Sequence, residues 1–242
     1  NDKQKVVGNA VVKENAEKRL DTFSGFLGEY DSQRYNGALT FNYNPNNHNS
    51  VLVLNGGTNL NGNVNVLAGH LVLSGIPTPH AYDHLNKKEV VDENSWINRQ
   101  FKAREFNVSG NAKLESSRNV SLLEGNFNAR HQAQIQLGFT QGKSSECIRA
   151  SYTGYTACSD NTTLGRLAFE HMPVTVVRGN VDLKDNSQLN LGKAHLVGRI
   201  NAMPMTQIRL QPNSQWTLNG NSAVGNLDLL PNSQITLNTG YD

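Results

Sequence analysis

No apolar run in this chain approaches the length of a membrane-spanning helix, so helical membrane insertion by these residues is excluded. Clusters of lysine or arginine are missing as well. The basic residues are scattered, the formal net charge is +2 and the isoelectric point is about 8.5, which leaves no electrostatic case for a nucleic-acid partner. There is no G-x-S-x-G elbow, no phosphate-binding glycine loop and no H-E-x-x-H pair. The carboxylates sit mostly at turns or on strand positions expected to face solvent, so no pair of them marks a hydrolytic cleft. With two cysteines and no C-x-x-C spacing, a zinc ribbon or a dithiol redox centre has no ligand set. No catalytic residue, metal ligand or cofactor follows from the sequence.

What the chain does have is asparagine, roughly one residue in seven and far above ordinary usage, together with an eleven-residue pattern that returns. Its clearest copies are VDLKDNSQLNL (Val181 to Leu191), IRLQPNSQWTL (Ile208 to Leu218) and LDLLPNSQITL (Leu227 to Leu237). Each places apolar residues two apart, then a polar turn ending in Ser-Gln, then two more apolar residues. A period of two means strands. The turns carry Asp185-Asn186, Pro212-Asn213 or Pro231-Asn232, residues that pre-set or tolerate a tight bend. Weaker copies begin at Val64, Phe106 and Phe127. The starts advance by about 21, 27 and 19 residues where no insertion intervenes; Val64 to Phe106, at about 42, reads as two steps, and the gap from Phe127 to Val181 holds an insertion. A unit of roughly 20 residues is too small for a domain, too polar for a helix pair, and lacks the spaced leucines of a leucine-rich repeat.

One coil of a parallel β-helix fits, with short third strands at Ala194 to Gly198 and Ser222 to Gly225 completing three sides. Seven or eight coils of about 20 residues follow, with asparagine ladders at equivalent corners. Trp216 is expected to point inward between Leu189 and Ile235 of neighbouring repeats.

The chain opens without methionine or a signal peptide, as a fragment or a processed product does. Residues 1–36 are expected to be a leader, partly helical or irregular, because Val12 to Leu20 is rich in Glu, Ala and Lys and has no apolar stripe. Residues 37–242 are the stem, whose first regular coil holds Leu39, Phe41, Tyr43 and Val51 to Leu54. Two excursions interrupt it. In the first, 76–100, Pro77 and Pro79 are expected to stop strand pairing; His80, Asp83 and His84 lie close together, but no helix crosses the prolines to align them on a metal, so a hydrogen-bonded loop is the preferred reading. The second, 140–172, contains Cys147 and Cys158 in CIRASYTGYTAC. The turn at Tyr152-Thr153-Gly154-Tyr155 lets the flanks pair as a hairpin, and a disulfide between Cys147 and Cys158 in an exported protein is expected.

The runs LVLNGGTNLNGNVNV, LVLSGIPTPHAYDHLN, WINRQFKAREFNVSGNA, the cysteine hairpin with TGYTAC, and NSQWTLNGNSAVGNLDL resemble the passenger domain of serine protease autotransporters. The nearest resemblance is to the immunoglobulin A protease and adhesion and penetration protein group. It extends from about Gly37 to the end, and PTPHAYDHLN is its most specific part, since strand repeats alone do not dictate it. The resemblance implies a right-handed β-helical stem carrying an N-terminal chymotrypsin-like protease, with a C-terminal barrel as outer-membrane anchor. The whole protein is then a serine endopeptidase at the bacterial cell surface or secreted, after transit through the periplasm and outer membrane. These residues hold no G-D-S-G-S nucleophile motif, so they are expected to be stem alone and not an enzyme.

Three functions compete for such a stem. The first is adhesion, by self-association with like molecules on neighbouring cells and by binding host matrix or cell-surface proteins, with Tyr152 and Tyr155 as amphipathic anchors at the contact surface. The second is a passive stalk. The third is a scaffold that positions substrate for the protease.

Overall fold

The computed structural model describes residues 3–4, 9–13, 20–24, 26–28, 38–42, 51–77, 81–83, 85, 88–90, 96–139, 147–149, 156–158 and 172–238. These form strands, turns and connecting chain, with no helix among them. The strands wind into a parallel β-helix with three faces. The first face stacks Lys3–Gln4, Phe26–Gly28, Thr58–Asn59, the front halves of Gln100–Val108 and Leu122–Ala129, then Thr175–Arg178, Ala194–Val197, Gln215–Leu218 and Gln234–Leu237. The second stacks Asn9–Lys13, Ala38–Asn42, Val64–Ala68, the rear halves of the same two long strands, Val181–Leu183 and Ile200–Ala202, and ends in a lone bridge from Asn201 to Ala223. The third is an eight-stranded sheet from Leu20–Ser24 to Asn226–Leu229.

Because pairing is parallel and in register, each inward side chain lies on its counterpart in the next coil. Leu71, Leu114, Ile135, Leu189 and Ile208 form one such column, and all five are fully buried. Phe106 and Phe127 are register partners whose rings stack 4.7 Å apart at 10°. Trp216 is inward, 3% exposed, with its Nε1 donating to the Gly198 carbonyl at 2.9 Å. Its column neighbours are Leu196 and Ile235; Leu189 lies on another face.

That difference comes from the repeat itself. The motif turns a different corner in different copies: Val181 to Leu191 crosses from the second face to the third, whereas Ile208 to Leu218 and Leu227 to Leu237 cross from the third to the first. Val181 therefore stacks on Ile200, nineteen residues on, and the longer advance to Ile208 adds one corner to one coil. The turns differ accordingly. Positive φ falls on Asp185 (57°) and its stacked equivalent His131 (59°) at the second-to-third corner, but on Asn213 (69°) and Asn232 (66°), each behind a proline, at the third-to-first. The serine that follows serves both corners alike: Ser187, Ser214 and Ser233 each donate to the carbonyl three residues back.

Three further expectations are corrected. Val64 pairs directly with Phe106, so the 42 residues between them are one coil plus an excursion. Within 1–36, where a leader was expected, the strands Lys3–Gln4, Asn9–Lys13, Leu20–Ser24 and Phe26–Gly28 extend all three faces; NAVVK and LDTFS carry the β-branched content of strands, and each finds a parallel partner in the stack. Asparagines do form a ladder, but along the outward side of a strand face: Asn128 Nδ2 donates to Asn107 Oδ1 at 2.9 Å, and Asn107 Nδ2 to Asn65 Oδ1 at 3.0 Å.

At the first-to-second corner, Gly125, Gly179 and Gly198 stack so closely that a Cβ on Gly179 collides with the Gly125 carbonyl, and one on Gly198 with that of Gly179. Gly179→Ala should therefore lower stability by about 2–3 kcal/mol, because backbone cannot yield as a side chain can. Trp216→Ala should cost about 3–5 kcal/mol. Urea unfolding checks both, and a midpoint unchanged by Gly179→Ala contradicts the close stacking.

Candidate functional site: a corner carrying two projections

Both excursions leave the helix at the third-to-first corner. The first departs after His70–Ser74 and returns at Gln100; the second departs after Gln134–Phe139 and returns before Thr175. One uninterrupted turn, Ser117 to Ser121, lies between them on the same edge.

The first excursion is a hairpin. Ile76–Pro77 pairs antiparallel with Trp96–Ile97, and Ala81–Asp83 with Lys88–Val90. Pairing thus continues through Pro77, against the expectation that the prolines would end it; an antiparallel ribbon two strands wide leaves each strand an unpaired edge, where a missing N–H is tolerated. Leu85, at the turn, is 89% exposed. Asp83 ends the strand Ala81–Asp83, opposite Lys88, while His80 and His84 fall outside the described residues; among those described, no group of His, Cys, Asp or Glu could hold a metal ion. In the second excursion Cys147–Arg149 pairs antiparallel with Thr156–Cys158, with Cys147 opposite Cys158. Tyr152 and Tyr155 lie outside the described residues.

The turn between the projections ties down both. Ser117, Arg118, Asn119 and Val120 are all buried, unusual for a polar corner. Asn119 holds the first root: its Oδ1 accepts from the Gly75 N–H at 3.1 Å, its amide bonds the Ser74 hydroxyl at 3.0 Å, and its carbonyl accepts from Arg99 Nε at 2.6 Å. Arg118 holds the second. Its guanidinium donates to the carbonyls of Met172 (2.7 Å), Pro173 (3.1 Å) and Lys193 (3.3 Å). Burial first, and then the charge of Arg99, draws the Arg118 guanidinium down to about 10. Burial, and then Arg118, likewise lowers the Lys193 ammonium. The arginine stays charged at neutral pH, its donors meeting carbonyl dipoles.

The strands feeding the first projection are covered on their outer side. Val53 and Val72 are fully buried yet belong to a cluster separate from the core, and beside them His70 Nε2 sits 3.0 Å from Glu115 Oε2, with Glu115 also buried. Neither this pair nor the Arg118-Asn119 clamp carries a sequence signal. A lone arginine in a serine- and asparagine-rich turn has the composition of a solvated loop, and its burial depends on two segments that meet it only in the folded chain.

The described residues form no nucleophile-and-base constellation; the corner's chemistry is that of a mount for two projections. Comparison with known proteins places the segment as a whole. The model for the second β-solenoid repeat region of the PIC/HAP1/IgA0 proteins matches residues 37–210. The chain belongs to that family. Over 212 residues this solenoid is 42% identical to an immunoglobulin A1 protease autotransporter of Haemophilus influenzae, with 82% of the chain and 11% of the relative covered. It is 39% identical to an IgA-specific serine endopeptidase autotransporter of Neisseria gonorrhoeae (82% and 14%) and 33% identical to the adhesion and penetration protein autotransporter of H. influenzae (72% and 13%). It also matches the crystal structure of the H. influenzae Hap adhesin, with a TM-score of 0.65 and 31% identity over 96% of this chain and 29% of that one. The chain thus spans roughly a tenth to a seventh of the curated relatives' length, within the solenoid of an autotransporter passenger, a class of segment displayed at the bacterial surface or secreted.

The two halves of the clamp should separate by mutation. Arg118→Met leaves the buried Met172 carbonyl and the part-buried Pro173 and Lys193 carbonyls without their donor and should cost about 2 kcal/mol, with faster proteolysis within 140–171; Asn119→Ala should quicken cleavage within 76–97 instead. Cleavage sites mapped by mass spectrometry check this, and equal loosening of both projections by either variant contradicts the division.

Proposed function

We propose that this solenoid segment is a non-catalytic adhesive stem that self-associates with like molecules on neighbouring cells and attaches the cell to host matrix or cell-surface proteins. The observation that supports the reading is the placement of both excursions on one corner, one turn apart, with that turn buried to anchor them. A stalk needs coils alone. Two anchored projections side by side offer contacts that repeat along an edge, and weak contacts of this kind add up when two rigid stems lie together. In this reading Cys147 and Cys158 form a disulfide that closes the second projection; directly opposed residues of an antiparallel pair have the separation a bridge requires. Tyr152 and Tyr155 are its anchors, and Leu85 the apolar tip of the first projection.

A second reading draws on the higher identity to the immunoglobulin A1 proteases: the same projections position substrate for a serine protease elsewhere in the protein.

On bacteria displaying the full-length protein, Tyr152→Ser with Tyr155→Ser, combined with Leu85→Ser, should reduce cell settling several-fold at unchanged surface levels. Unchanged settling, together with a chain that sediments as a monomer at high concentration and leaves host matrix unbound, removes the adhesive reading. Reducing the disulfide should leave the main unfolding transition within about 1 kcal/mol, because the loop it closes lies outside the stack.

A further inference from the structure

On the second face, away from the corner that carries the projections, a shallow groove of about 450 Å³ runs across four coils. Its floor is the amide row Asn65, Asn107 and Asn128, continued in register by Asp182. Beside it runs a second column, Leu67, Ser109, Arg130 and Lys184. Ser109 is short and nearly buried, whereas Leu67 is 42% exposed and Arg130 and Lys184 are exposed, so the column dips at its second position.

The hydrogen-bond inventory of the row is specific. A side-chain amide has two N–H donors and two acceptor lone pairs. Asn107 spends one donor on Asn65 and one lone pair on Asn128, leaving one of each without a partner among the described residues. All the row's donors point the same way, toward the N-terminal coils, so its other end closes on two acceptors in adjacent coils, Asn128 Oδ1 and the Asp182 carboxylate. Neither accepts a hydrogen bond from another described residue. Donors and acceptors thus recur at the coil spacing over about 14 Å, three steps of about 4.8 Å, and the Asn201 amide, next in register beyond Asp182, donates to no described residue there, so the acceptors at Asn128 and Asp182 stay open.

We propose that this groove binds an extended, uncharged glycan running along the helix axis. A β-1,4-linked chain advances by about one coil spacing per sugar and presents groups that both donate and accept at each step, matching the row. A hydroxyl can donate to the open pair at Asn128 and Asp182, while the Arg130 and Lys184 stems and Leu67 lie against sugar faces. An acidic polysaccharide meets the Asp182 carboxylate in the floor but also the Arg130 and Lys184 charges at the side, so a heparin fragment separates a cation-driven ligand from a neutral one. A peptide strand finds no free edge, since the second-face strands across these four coils are hydrogen-bonded to their neighbours on both sides. The site is independent of whether the projections self-associate.

Titration of the 242-residue chain with chitohexaose, cellohexaose and a heparin-derived hexasaccharide tests this. Saturable binding of a neutral hexasaccharide is expected. Asp182→Asn lets the row close on itself by donating to Asn128, and should weaken that binding about fivefold without loss of stability; Asn107→Val should weaken it likewise by breaking the row, with a small loss of stability from its two lost hydrogen bonds. Arg209→Ala, on the third face, should change nothing. Failure of both neutral hexasaccharides to saturate at millimolar concentration overturns the proposal. So does tighter binding of the heparin fragment, or binding indifferent to Asp182→Asn in a variant whose circular dichroism and unfolding match the parent.

Discussion

Parallel, in-register pairing of each coil on the next is the constraint on which the molecule depends. Each inner strand of the stack lends its N–H and C=O groups to the coils above and below at a separation of about 4.8 Å, so a residue's environment there is set by its column and hardly at all by its sequence neighbours. Like falls on like: leucine and isoleucine in one inner column, Phe106 on Phe127, asparagine on asparagine outside, glycine on glycine where the backbones crowd. A change at one position is felt by two coils.

The same constraint decides where the chain can depart from the stack. A strand cannot take an insertion without breaking two ladders, whereas a corner can lengthen if its ends return in register. Both large excursions use one corner, and the turn between them holds a guanidinium that a solvated turn would never bury. Among the described residues no carboxylate pairs with Arg118. It is held by the carbonyls of Met172 and Pro173, where the excursion rejoins the stack, and of Lys193 in the following coil, an arrangement that ties the returning segment to both coils. The outward surfaces are differentiated as well: one face shows solvent an amide row, while part of another is covered over Val53, Val72 and the His70–Glu115 pair.

Much of this was legible in the residues. Alternating apolar positions, asparagine and proline at the bends, and a step near 20 residues specify strands, tight corners and coils, because strand periodicity and turn chemistry are local properties. Family resemblance and measured likeness agree on the solenoid of an autotransporter passenger. The inward setting of Trp216 followed from alternation alone. Its neighbours did not, since NSQ turns two geometrically different corners and sequence similarity cannot tell which.

What the sequence determined by itself is thus the strand-corner-strand unit and the choice of inward residues, both fixed within a few bonds. Only the tertiary structure decided which copy stacks on which, that the strands of the first 36 residues join the stack, that both excursions share an edge, and that Arg118 and Asn119 lie buried between them. Each of these depends on contacts between segments 19 to 75 residues apart. Register is selected by the whole ladder of backbone hydrogen bonds and by the fit of entire columns, a sum over many coils to which no single stretch of residues corresponds.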